Sequence, residues 1–122
     1  SEKLAKKISE EQKKHNVNPK IFIQINLGLE RQKSGIDKEN LQSFYNLCKE
    51  LDLSIVGIMC IPPVNQNPAI HFAFMSEIYK RNNLRYLSMG MSNDYKTAIE
   101  FGATHIRIGS QLFGERLEKE EI

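Results

Sequence analysis

Two rhythms of apolar and polar positions alternate along the chain. From residue 2 to 15 polar residues dominate, and Leu4, Ala5 and Ile8 fall on one narrow face, which predicts an amphipathic helix. "KIFIQINL" (20–27) breaks that period with β-branched and aromatic residues and predicts a buried strand. After the loop "GLERQKSGI", Asp37 stands where it can cap a helix whose face carries Leu41, Phe44, Tyr45, Cys48 and Leu51. "SIVGIMCI" (54–61) predicts the next strand, ended by Pro62 and Pro63, which cannot donate to a ladder. Asn67 and Pro68 supply a cap and a first helical position for a helix bearing Ala69, Phe72, Met75, Ser76 and Tyr79. "LRYLSMG" with a helix from about Asn93 to Phe101, closed by Gly102 as a left-handed cap, makes a third unit, and "THIRIG" with a short helix from Ser110 to about Leu117 makes a fourth.

Strand and helix thus alternate four times, and the strands are apolar on both faces. That is the pattern of a parallel α/β sheet with crossover connections. Two architectures satisfy it: a small open doubly wound sheet, or four consecutive βα units of a parallel (β/α) barrel, which normally needs eight units and about 250 residues. The second is half a barrel, with two strand edges left for another chain to pair or cover. Residues 1–122 are read as a single partial barrel domain.

Length and composition narrow the function classes. A chain of 122 residues can bury roughly two thirds of its unfolded surface, so a core is within reach. The net charge of +2 gives no reason to expect nucleic acid, and the basic residues of "EKLAKKISEEQKKH" alternate with acidic ones as on a solvated helix face. Cys48 and Cys60 lack partners at metal spacing, and no apolar leader or membrane-length run is present, so a reducing cytoplasm is the expected location. Opening on Ser1 directly before a helix, the chain is read as processed, recombinant or lacking an upstream portion.

Ligands of parallel α/β folds bind where strands end and helices begin, and in barrels a phosphate site often forms after the last two strands. Those places are "LSMGMSND" and "HIRIGSQLFGER". Gly109 admits close backbone approach, and Ser92 and Ser110 each offer an N–H and a hydroxyl near a helix start. Arg107, two residues before Gly109 on a pleated strand, projects to the same face. The competing reading makes both serines helix caps, and pairs Arg107 with Glu100 or Glu115. Asp94 already uses part of the positive end of its helix. His15, His71 and His105 are scattered over separate segments, so neither a metal site nor a Cys/His pair is expected. Lys33 belongs to a loop, and no phosphate-loop or dinucleotide fingerprint follows a strand.

These two motifs, in this order and spacing, resemble the pyridoxal phosphate homeostasis protein family, whose barrel is similar to the N-terminal domain of alanine racemase. "IFIQINLGLERQKSGI" and "VGIMCIPP" resemble its preceding strands, and the likeness runs from about Pro19 to Arg116. It implies a pyridoxal 5′-phosphate pocket, with Ser92, Gly109 and Ser110 on the phosphate and Arg107 facing the pyridine nitrogen. It also implies a cofactor carrier and buffer without catalytic turnover. The family's Schiff-base lysine belongs to a strand upstream of anything matched here, so the chain resembles the C-terminal half of the barrel. Cofactor binding is then expected to be noncovalent unless a complementary N-terminal half supplies the lysine. Alternatives are a racemase-like enzyme fragment, for which Tyr95 is a poor proton carrier, and a noncatalytic half barrel that pairs its edges with a second copy.

Overall fold

The computed structural model describes residues 1–28 and 34–113. Within them the chain runs α1 (Glu2–His15), β1 (Lys20–Asn26), β2 (Ile36–Asp37), a 3-10 turn (Lys38–Asn40), α2 (Leu41–Glu50), β3 (Ser54–Met59), α3 (Pro68–Arg81), β4 (Tyr86–Ser88), α4 (Tyr95–Glu100) and α5 (Ser110–Phe113). The strands pair in parallel in the order β2-β1-β3-β4. This is the parallel α/β sheet that the alternation of periods predicts.

Local chemistry sets most helix ends. Ser1 Oγ accepts the Leu4 N–H at 3.2 Å to open α1, and Asn16, left-handed at φ 51°, closes it. Asn67 Oδ1 accepts the Ala69 N–H at 3.0 Å and Pro68 takes the first position of α3, as expected. Asp37 does not cap α2: it ends the two-residue strand β2, and the 3-10 turn delays the helix to Leu41. The buried side of α1 also differs from the apolar face read in the sequence, being Ala5, Ser9 and Gln12, with Leu4 57% exposed. Ser9 Oγ donates to the Leu51 carbonyl at 2.8 Å and Gln12 Nε2 to that of Asp52 at 2.9 Å. Those carbonyls, left without helical partners where α2 ends, outcompete leucine for the contact.

One sheet face packs against helices. Ile23 and Ile25 of β1, Ile58 of β3 and Leu87 of β4 meet Phe72 and Met75 of α3 and Ala98 of α4. On the other face the register aligns Phe22, Gly57 and Tyr86 in a row. A Cβ on Gly57 would land on the Tyr86 carbonyl and 2.8 Å from Phe22 Cε2. The glycine therefore lets the Phe22 and Tyr86 rings stack at 6.1 Å, with His105 edge-on to Tyr86 at 4.9 Å. Both stacked rings stay half-exposed.

The strand read in "THIRIG" is reduced to a single parallel bridge, Ser88 with His105. The segment still tracks β4: Thr104 N–H and His105 N–H donate to the Leu87 carbonyl, and Met89 N–H donates to that of His105. Thr104 Oγ1 takes the Leu87 N–H at 2.7 Å in place of a ladder carbonyl. With the Thr104 side chain taking a donor that a ladder carbonyl would take, regular pairing stops at the one bridge. The helix expected from Asn93 begins at Tyr95, and Gly102 closes it at φ 95°, as the left-handed cap reading requires. Lys33, Glu115, Arg116 and the expected continuation of the last helix to Leu117 lie outside the described residues. Among the described residues no helix is long and apolar enough to cross a membrane.

The tight row over Gly57 makes a first prediction. Gly57→Ala should cost about 1–3 kcal/mol of stability by overpacking. A urea denaturation midpoint unchanged from wild type would show that the sheet opens there without resistance.

Candidate functional site

The turns after β3 and β4, together with residues 107–110, enclose an open cleft of about 1020 Å³. The buried prolines Pro62 and Pro63 line it opposite Ser92, Arg107 and Ser110. Its shape begins at Gly90, which is held at φ 103°. A Cβ there would approach Ala98 Cβ to 2.7 Å and Tyr95 Cα to 3.1 Å. Only glycine combines that dihedral with that clearance. The Gly90 carbonyl accepts the Arg107 N–H at 2.9 Å, which ties the two motifs together.

Beyond Gly90 the main chain curls tightly. Asp94 Oδ1 accepts the Met91 N–H at 2.7 Å, and the Met91 carbonyl accepts from Asp94 N–H and Tyr95 N–H at 3.1 and 2.9 Å. The N–H groups of Ser92, Asn93 and Gly109 find no acceptor among the described residues. Ser92 is therefore not the cap of α4, which starts at Tyr95. Its hydroxyl instead receives a hydrogen bond from Ser110 Oγ at 2.8 Å, so the two serine turns converge. Among the described residues nothing stands where a Cβ on Gly109 would be, and Gly109 does not need a positive φ, so its contribution is room alone. With α4 only six residues long, its dipole adds little, and the N–H and hydroxyl donors carry the attraction for an anion.

Arg107 is reached from an unexpected side. Its Nη2 donates to the Cys60 carbonyl at 2.9 Å, which fixes the guanidinium at the cleft. Its Nε is sealed from solvent without a hydrogen-bond partner among the described residues. No ion pair joins it to Glu100 among them, and Glu115 lies outside. A buried donor without an acceptor costs about 1–3 kcal/mol, so an acceptor supplied by a ligand offsets a standing deficit. Arginine has donors only and stays charged, so what it would favour is an anion or a lone pair such as an unprotonated ring nitrogen.

The other reactive groups are placed elsewhere or silenced. The Cys60 thiol is fully buried, and burial pushes it up to about 12 against the pull of Arg107. His15 pairs with Glu11, His71 with Gln66, and His105 joins the aromatic row, so the structure keeps the three histidines apart. Burial lowers His71 from the ordinary histidine value. Among the described residues no cluster of three His, Cys, Asp or Glu side chains could hold a metal. The structure brings together all four residues singled out in the sequence: Ser92, Arg107, Gly109 and Ser110 all line the cleft. Sequence reading missed the Cys60 carbonyl, a backbone group that leaves no residue signature. It also missed the side chain of Asp94 as the brace of the turn, although an Asp shortly after Gly and Ser is a turn signal.

Comparison with known proteins places these features in a wider set. Residues 1–117 match the family model described as the alanine racemase N-terminal domain. Proteins named pyridoxal phosphate homeostasis protein are similar: one from Aquifex aeolicus is 38% identical over 93% of this chain and 54% of its own length. One from Vibrio cholerae is 40% identical over 94% of this chain and 52% of its own length. The chain thus spans about half the length of these curated relatives. The structure of PipY from Synechococcus elongatus without PLP superposes with a TM-score of 0.81 at 32% identity, covering 93% of this chain and 58% of that one. PipY with PLP bound superposes with a TM-score of 0.77 and 57% of its chain covered.

The state of Cys60 can be checked directly. Its folded thiol should resist iodoacetamide at pH 8 while the unfolded chain reacts, as read by peptide mass mapping; rapid native labelling of Cys60 would contradict its burial. The unfolded thiol loses its proton near 9.0 and the folded one near 12, so between them the unfolded state binds fewer protons. Stability should fall as pH rises above 9, and fall less in Cys60→Ala.

Proposed function

The chain belongs to the alanine racemase N-terminal domain family, and on that premise we propose that it binds pyridoxal 5′-phosphate as a carrier and buffer of the cofactor. The observation that carries this reading is the buried Arg107 Nε, without a partner among the described residues, in a residue that lines the same cleft as the joined hydroxyls of Ser92 and Ser110. Arg107 Nε and the N–H groups of Ser92, Asn93 and Gly109 are donors without acceptors among the described residues, which fits a phosphate monoester on a ring with a basic nitrogen. Ser92, Gly109 and Ser110 take the phosphate, and Arg107 takes the ring nitrogen.

Pyridoxal phosphate supplies an aldehyde and an electron-withdrawing pyridine ring. A permanent cation against the ring nitrogen disfavours its protonation and weakens that withdrawal. Arg107 therefore orients the ring without preparing it for turnover. Among the described residues neither a lysine nor a tyrosine lines the cleft, and Tyr95 stands outside its lining. The resident groups bind and orient, and this supports a carrier over a racemase-like catalyst.

The covalent anchor comes, in this reading, from a complementary half that completes the barrel. A groove of about 580 Å³ between Leu4 and Ile8 of α1 and the Ile21 end of β1 supports it. Among the described residues only Ile25 and Asn26 of β1 are paired on that side, by β2. The remaining edge suits an added parallel strand with apolar side chains. A second copy of the chain in that groove is the alternative, and light scattering separates the two, since only self-pairing yields a dimer of the chain alone.

Binding should depend on the phosphate. Fluorescence titration of the chain should give pyridoxal 5′-phosphate at least about tenfold tighter binding than pyridoxal, a gap that Ser92→Ala with Ser110→Ala narrows. Equal affinity for the two compounds would remove the cofactor reading. With a lysine-bearing half added, borohydride should fix the cofactor to that half. No fixation in a well-folded pair would remove the complementary-half reading.

A further inference from the structure

We propose that Asp94 is the positioning residue of the anion turn and also sets its affinity, bracing the turn with one hydrogen bond and opposing a bound anion with its charge. The proposal rests on the cofactor-binding reading above and extends it to the regulation of affinity at that site. Asp94 Oδ1 holds the Met91 N–H at 2.7 Å, the shortest link across the turn, while the main chain closes the same turn from the other side through the Met91 carbonyl. With Met91 N–H occupied, the next two N–H groups, of Ser92 and Asn93, are left without acceptors among the described residues. The brace thus determines which amides an anion can find.

The same carboxylate lines the cleft. Among the described residues, the charged side chains lining that cleft are Arg107 and Asp94, of opposite sign. One attracts a phosphate dianion and the other repels it. A neutral acceptor at position 94 could brace the turn equally well, so the negative charge is separable from the geometry. A carrier that must release its cofactor gains from that opposition, because it shortens residence without dismantling the donors.

Asp94→Asn and Asp94→Ala separate brace from charge. Hydrogen exchange at the Met91 amide of the ligand-free chain reads the brace, and titrations with pyridoxal 5′-phosphate and with inorganic phosphate read the affinity. Asp94→Asn should keep Met91 protected and bind both ligands about three- to tenfold tighter, a gain that shrinks with added salt. Asp94→Ala should expose the Met91 amide and bind about tenfold more weakly. Unchanged Met91 protection in Asp94→Ala overturns the positioning role, and equal binding by wild type and Asp94→Asn overturns the charge role. Absence of binding of either ligand by the wild-type chain overturns the cofactor reading and this proposal with it, whereas wild-type binding with unaltered variants overturns the role of Asp94 alone.

Discussion

The hydrogen bond from the Arg107 N–H to the Gly90 carbonyl is the constraint on which the site depends. It joins the turn after β4 to a segment that has no regular strand geometry of its own. Gly90 can present that carbonyl because it lacks a Cβ, which would strike Ala98, and because it tolerates φ 103°. Remove either property and the turn carrying Ser92 and Asp94 shifts away from the turn carrying Ser110. The second tether, from Arg107 Nη2 to the Cys60 carbonyl, brings the end of β3 into the same arrangement. The Gly90 carbonyl thereby holds the main chain of Arg107 and the Cys60 carbonyl its guanidinium, and the core beneath them, with Cys60, Leu87 and Met89 sealed from solvent, keeps those ends from drifting.

The site that results is rich in donors and poor in reactive groups. Its hydroxyls and amides are neutral, its lining cation among the described residues is the permanently charged Arg107, and the Cys60 thiol is held protonated by burial. Covalent capture, in the proposed reading, is left to another half of the barrel, and the open edge of β1 beside α1 is where a further strand would complete the sheet. Holding and anchoring the cofactor would then be properties of two separate pieces of structure.

Regular elements were legible where one rule governs a residue. Asn67 and Pro68 start α3, Gly102 ends α4, and the apolar runs of β1 and β3 form the sheet, each as its local chemistry dictates. Readings went astray where two demands met on one residue. Leu4, Ala5 and Ile8 look like the buried face of α1, and Ala5 and Ile8 do pack inward, yet Leu4 is exposed and Ser9 and Gln12 join the inner face because carbonyls beyond α2 need donors. "THIRIG" alternates like a strand, yet at the edge of the sheet Thr104 Oγ1 takes over a ladder bond and one bridge is all that forms. Asp37 looks like a cap, yet it pairs beside Asn26.

By itself the sequence determined the parallel α/β class and placed Ser92, Arg107, Gly109 and Ser110 at strand ends, because periodicity, prolines and glycines act over a few positions. It also determined that donors would outnumber nucleophiles there, since that is a matter of residue type. Tertiary structure alone decided how the donors are aimed. The Cys60 carbonyl on Arg107, the contact between the Ser92 and Ser110 hydroxyls and the row over Gly57 each join residues distant in the chain, and such distances are set by packing and not by any local preference.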